Sequence, residues 1–387
     1  MRHSGDRTNS SLRVGFVVQN ETHAENFALM ALDVRSRGGE VDVLCLDPTS
    51  GLRTLQHFPD GMARPLSVSS KSAFYRMSRR DQMRFMSEHA ARIRADTPEC
   101  DVLIVGNDGA IQRLLLRAAR GQGARTALLL DGLVVGPRNW HESAMLRVRA
   151  LLLRVATRLG LEHLSPGSLA HGSLDRVVVM HASLKRILEE DMRVRAEIRV
   201  AMLPRHRRLV ETVGLIRRDS EAETRRILYA SSAYLWHRLT TFHERQVAEV
   251  TRVVELATLH PKVEFRLRVH PREDLGDYGF AMPVNMSLSD SGVSLAEDLA
   301  WSSEVWTSRS SLSFEAVLCG VPTYISTEHF PPLDPRDFLA GLESVHVVPN
   351  FSKCLSLSPS TVPASTMPEG ASALELCLGA FDPSGPV

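Results

Sequence analysis

The chain alternates short, wholly apolar runs with longer stretches of helical periodicity. Leu12–Gln19 (LRVGFVVQ) reads as a strand, and an apolar-periodic helix follows over about His23–Arg37, stopped by Gly38-Gly39. Val41–Leu46 (VDVLCL) is a second strand. Asp101–Val105 (DVLIV), a helix over about Ala110–Arg120, and Arg125–Leu130 (RTALLL) repeat the theme, and Arg176–Met180 (RVVVM) adds a further strand. Strands apolar on both faces and separated by helices predict a parallel sheet covered on both sides.

The alternation lapses over residues 205–226, a charge-rich stretch without a strand that reads as a linker or surface helix. It restarts at Arg226–Ala230 (RILYA). A helix over about Phe242–Leu259 stops at His260-Pro261. Val263–Val269, Val284–Leu288, a short helix at Ser294–Trp301, Glu304–Thr307, a helix over about Ser311–Cys319, and Pro322–Ile325 complete a second unit. Residues 351–367 are rich in Ser, Pro and Thr and read as loop, with a last helix over 371–380. The predicted fold class is α/β, with two Rossmann-like domains facing each other across a cleft. The N-terminal domain spans 12–204, a linker 205–225, the C-terminal domain 226–350, and a Ser/Pro-rich tail 351–387. In such sheets ligands bind at the carboxyl ends of the strands, and that is where chemistry is sought.

Composition narrows the function. Of 387 residues, 43% are hydrophobic and 24% charged, a profile that supports a folded core. Lys+Arg is 46 against 45 Asp+Glu, so the chain lacks the basic excess of a dedicated nucleic-acid binder. No apolar run reaches the length of a spanning helix, and Met1–Ser11 lacks the apolar segment of a secretory signal. Five scattered cysteines with no CxxC pair argue against a disulfide framework or structural zinc. A cytoplasmic protein is expected.

Five places carry candidate chemistry. His270 follows a strand and is fixed by Pro271; with Arg272 it can donate to a phosphate. Ser310 and Ser311 open a helix after the EVWT strand, where they serve either as an anion site or as ordinary caps, and Glu315 one turn on can reach a ribose diol. Asp131, after the RTALLL strand, is a general-base candidate or a turn aspartate. Asn20, His23, Asn107 and Asp108 follow strands and can hold an acceptor, or cap helices; Ser231 and Ser232 can line a donor phosphate. Over Ser143–Leu161, Arg147, Arg154 and Arg158 share one face of an otherwise apolar helix. Residues 137–218 hold 16 Lys+Arg against 8 Asp+Glu. This helix either packs into the core with solvated arginines or lies against an anionic membrane. There is no GxGxxG after the first strand, no GxxxxGK[ST], no GxSxG and no HExxH, which removes the motif support for dinucleotide, P-loop, hydrolase-elbow and zincin chemistry. Nor is there an Asp-x-Asp to bridge a metal and a diphosphate, so no metal is expected.

The HPRE run followed by WTSRSSLSFEAVLCGVPTYI resembles the donor-nucleotide half of GT-B glycosyltransferases. It looks most like the bacterial sialyl-, polysialyl- and Kdo-transferases of capsule and lipopolysaccharide synthesis and the related CDP-glycerol glycerophosphotransferases. His270-Pro271 matches their HP motif and Ser310-Ser311 their serine motif. Leu130-Asp131-Gly132 matches their acidic-acidic-Gly motif in part, because Leu130 replaces the first acidic residue. The SxxxFEA segment also resembles the non-hydrolysing UDP-GlcNAc 2-epimerases. The resemblance implies a metal-independent transferase in bacterial surface polysaccharide synthesis. It would take a nucleotide-sugar donor, with a cytidine nucleotide favoured, and a glycan or lipid-linked acceptor. His270 and Ser310/Ser311 would hold the donor phosphate and Asp131 would act as base. An epimerase-like enzyme and a non-catalytic GT-B-like assembly protein stay open.

Overall fold

The computed structural model describes residues 11–46, 51–68, 74, 77–132, 140–161, 169–218, 224–235, 239–274, 276, 278–279, 281–289, 292–334, 337–356 and 371–379. The chain forms two compact units, one holding residues up to 205 together with the last helix, the other holding 206 onward up to the tail.

The first unit runs β1 (Arg13–Val18), α1 (Glu21–Ser36), β2 (Glu40–Cys45), α2 (Gly51–Gln56), β3 (Ala63–Pro65), α3 (Arg79–Ala95), β4 (Val102–Val105), α4 (Ala110–Gly121), β5 (Arg125–Leu130), α5 (Trp140–Arg158), β6 (Arg176–Val179), α6 (Ala182–Arg186) and β7 (Glu197–Val200). All strands pair in parallel, in the order β3-β2-β1-β4-β5-β6-β7. The central strands are buried along their length, as β4 and β5 illustrate. This is why their sequences are continuous apolar runs instead of alternating ones.

The second unit opens with α7 (Pro204–Arg218), followed by β8 (Arg226–Ala230), α8 (Thr240–Leu259), β9 (Glu264–Arg268), β10 (Met286–Leu288), α9 (Leu295–Trp301), β11 (Glu304–Thr307), α10 (Leu312–Leu318), β12 (Thr323–Ser326), β13 (Val345–Val348) and α11 (Phe351–Leu355). Its six parallel strands follow the order β10-β9-β8-β11-β12-β13. Both sheets therefore reverse direction of growth beside their first strand, between β1 and β4 and between β8 and β11. That switch point is where the loops of open α/β sheets part to admit a ligand. Trp306 of β11 is fully buried and stacks on Phe351 at 4.7 Å between ring centroids.

Of the two readings of the charge-rich stretch, linker or surface helix, its first part is the helix α7, opened by Pro204 at a position where its missing N–H costs nothing; residues 219–223 lie outside the described residues. The expected loop from 351 begins with α11, while 357–370 lie outside the described residues. The last helix, α12 (Ala373–Leu378), packs against β5 and β6 of the first unit. Its Ser372 and Glu375 form a reciprocal cap. Of the residues in α5, which reads either as core-packed or as membrane-facing, Ala150 and Leu153 are buried while Leu152 is 50% and Leu159 is 68% accessible.

Candidate functional site

In the first unit, three residues from three loops meet at the switch point. His23 lies in the first turn of α1, Gly106 directly follows β4, and Asp131 directly follows β5. β4 lies between β1 and β5, so His23 must pass over its end to reach Asp131. It can do so because residue 106 has no side chain. A Cβ there would sit 2.4 Å from His23 Nδ1. The ring is thereby seated with Nδ1 against backbone, and Nε2 stands 3.4 Å from Asp131 Oδ1. Both side chains are almost enclosed, and Asp131 Oδ2 has no hydrogen-bond partner among the described residues. His23 Nε2 faces one carboxylate oxygen, and the other is placed to accept from a hydroxyl.

The other residues expected to bind an acceptor there do structural work. Asn20 Oδ1 accepts from the N–H of His23 at 2.9 Å and caps α1. Asn107 Oδ1 accepts from the N–H of Gly109 at 2.8 Å, closing the turn into α4. Asp108 is buried, and its Oδ2 accepts from the N–H of Ala170 at 2.8 Å. Burial pushes the Asp108 carboxyl up, partly offset by Arg113. Ala170 has a φ of 58°, a left-handed conformation that alanine rarely adopts, so Asp108 helps hold a strained loop.

In the second unit, the loops after β8, β9 and β11 lie side by side, because those strands are neighbours. The loops after β8 and β9 share a support in Glu273, whose side chain is fully buried. Glu273 Oε2 accepts from Ser231 Oγ at 2.6 Å and from the Tyr278 hydroxyl at 2.9 Å, and Oε1 accepts from Gln246 Nε2 at 2.9 Å. A buried carboxylate is tolerable only with such a set of donors. Ser231 Oγ in turn accepts from the N–H of His270 at 2.8 Å. Gln246 also grips the Ser232 backbone from both sides, with its Oε1 accepting the N–H at 2.7 Å and its Nε2 donating to the carbonyl at 3.0 Å.

This network fixes His270. Its Nδ1 accepts from the N–H of Arg272 at 3.2 Å, which leaves the proton of the neutral ring on Nε2. Pro271 and Arg272 are exposed beside it. Ser231 and Ser232, expected to line a donor phosphate, are buried and hold loops, Ser232 Oγ donating to the Arg309 carbonyl at 3.3 Å. On the β11 side, Ser310 Oγ accepts from the N–H of Leu312 at 3.3 Å. Ser311 is exposed, and its hydroxyl makes no capping bond. Glu315 was expected to reach a ribose diol. It is buried, with Oε1 3.8 Å from His206 Nε2, because α10 turns that face inward. Gly106, Gln246 and Tyr278 were not singled out by the sequence. A glycine directly after an apolar strand is a signal for Gly106, whereas a lone Gln and Tyr carry none.

No protein-family model matches the chain, and none of the curated proteins does. Solved structures do. A glycotransferase of kitacinnamycin superposes with a TM-score of 0.54 at 14% identity, over 91% of this chain and 88% of the other. The fold is GT-B. The spinosyn rhamnosyltransferase SpnG, complexed with thymidine diphosphate, matches with a TM-score of 0.51 at 16% identity, over 88% and 87%. The UDP-GlcNAc 2-epimerase from Neisseria meningitidis, bound to UDP-GlcNAc, matches with 0.51 at 14%, over 81% and 82%. Identities this low speak to the fold.

Proposed function

We propose that the protein is a glycosyltransferase that moves a sugar from a nucleotide donor to a hydroxyl of a glycan or lipid-linked acceptor. The observation that carries this reading is the His23–Asp131 pair seated on Gly106, in a fold that transferases of nucleotide sugars share. Asp131 Oδ2 takes the proton of the acceptor hydroxyl as its oxygen bonds to the anomeric carbon. His23 is a positioning residue that donates Nε2–H to Oδ1 and turns the carboxylate. As the sugar–phosphate bond breaks, negative charge collects on the departing phosphate. His270 Nε2–H, aided by the hydroxyls of Ser310 and Ser311 and by Arg272, stabilises that charge more in the transition state than in the bound donor. No step is assigned to a metal.

The donor base is open between cytidine, implied by the motif resemblance, and the uridine or thymidine nucleotides held by two structures of the same fold. A thermal-shift panel with CMP, CDP, UDP, TDP and GDP separates them, because a nucleotide at 100 times its Kd stabilises by about 2.7 kcal/mol. With the responding donor, His270→Ala is expected to cost on the order of 10²–10³ in rate. Asp131→Asn should cost about 10²–10⁴ in turnover with donor affinity kept. Wild-type rates in both variants would overturn the assignment. The likeness to an epimerase supports a second reading, and release of an altered sugar from donor alone, without acceptor, would favour it.

A further inference from the structure

The helix α5 presents an exposed apolar face among the described residues of its unit. Its inward side is anchored: Ala150 and Leu153 are buried, and the Thr157 carbonyl accepts from Arg117 of α4 at 2.7 Å. At 100° per residue, Met145, Val148, Leu152, Val155 and Leu159 fall in a sector of about 80° on the opposite side. These five are between 48% and 68% exposed. A contiguous apolar stripe on a helix already docked by its other face marks an interaction surface.

Charge selects the occupant. Exposed Leu151 widens the stripe on one side, where Arg158 and Arg147 follow it; Arg149 borders the other side, and from Ser143 to Leu161 the sequence has no acidic residue. We infer that α5 lies in the surface of an anionic bilayer, with the stripe at the boundary of headgroups and acyl chains and the arginines on lipid phosphates. No helix among the described residues is long and apolar enough to cross a membrane, so this is contact along the surface. A second copy of the chain fits less well. Face-to-face pairing of two stripes would bring arginine edges together, with only Glu142 in the first turn of each helix to offset them. The inference is independent of the transferase reading, since binding is measured without donor or acceptor.

The test is co-sedimentation of the full chain with vesicles of phosphatidylcholine alone or mixed with phosphatidylglycerol, at low and high salt. Binding is expected on the mixed vesicles and should weaken with salt. Arg147→Gln and Arg158→Gln should each lower the partition coefficient about fivefold, and L152S with L159S on the order of tenfold or more. Because these side chains are exposed, the melting temperature should stay unchanged; a marked fall would show that the stripe is packed and overturn the inference. So would absence of binding at low salt, or equal binding to neutral vesicles. A dimer that L152S with L159S dissociates, without vesicle binding, would assign the face to a second copy instead.

Discussion

A methyl group at residue 106 would lie 2.4 Å from the His23 ring, so Gly106→Ala must push that ring off its seat. The backbone at Gly106 is not in the left-handed region, so the substitution adds no backbone strain and acts through contact alone. Activity should fall in Gly106→Ala to nearly the level of His23→Ala, while the double variant loses little more. Additive losses in a rate assay would show that the two residues do not act as a unit. At Asp108 the expected effect is on folding. Asp108→Ala strands the N–H of Ala170 in a buried site and should cost about 1–3 kcal/mol in denaturant unfolding, without a selective loss of acceptor affinity. These two residues also mark what a sequence can and cannot say at this scale. Asp131 draws notice in the sequence because it closes a wholly apolar strand beside a glycine. Asn20, Asn107 and Asp108 occupy equivalent places after strands, but a capping side chain and a ligand are the same residue types. Only the bond each makes separates them.

Among the elements, the loops after β8 and β9 act as one body because Glu273 ties Ser231, Gln246 and Tyr278 together. Removing that carboxylate breaks three hydrogen bonds and leaves the Ser231 and Tyr278 hydroxyls without their acceptor, and at about 1 kcal/mol for each lost bond Glu273→Ala should destabilise by about 3 kcal/mol. It should also release Ser231 from His270. The variant is therefore expected to raise the donor KM with a smaller change in kcat, whereas His270→Ala lowers kcat itself. An unchanged donor KM in a folded Glu273→Ala protein would separate the network from the site. The elements that frame these loops were readable where they are buried. RILYA and EVWT stand as strands over the residues expected, because interior strands must be apolar throughout. The edge strands were not: β3 ends in Pro65, and β7 is half exposed and charged. Edges lack the burial that writes a pattern into sequence, and they carry residues that discourage further pairing. Helix α3 was missed for a similar reason, since only Met86, Ala90 and Ile93 are buried in seventeen residues.

For the whole molecule, the sequence gives two sheets but not their shared order, because strand order depends on crossovers that leave no local mark. Global stability adds one property that no motif announces. Glu249 of α8 is buried under β8, where it accepts from the Tyr229 hydroxyl at 2.7 Å, and its Oε1 has no partner among the described residues. Burial pushes its carboxyl up to about 8. In the unfolded chain the same group ionises near 4.5. Between those values the folded protein binds the extra proton, so stability falls as pH rises from about 4.5 to about 8. Glu249→Gln keeps a carbonyl for Tyr229 and cannot ionise. It should melt close to wild type near pH 4.5 and clearly above it by about pH 8, flattening the fall between them. Scanning calorimetry of both proteins across that range is decisive. An equal loss of melting temperature in the two between those values would mean that Glu249 stays charged in the fold, and the destabilising group would have to be sought elsewhere.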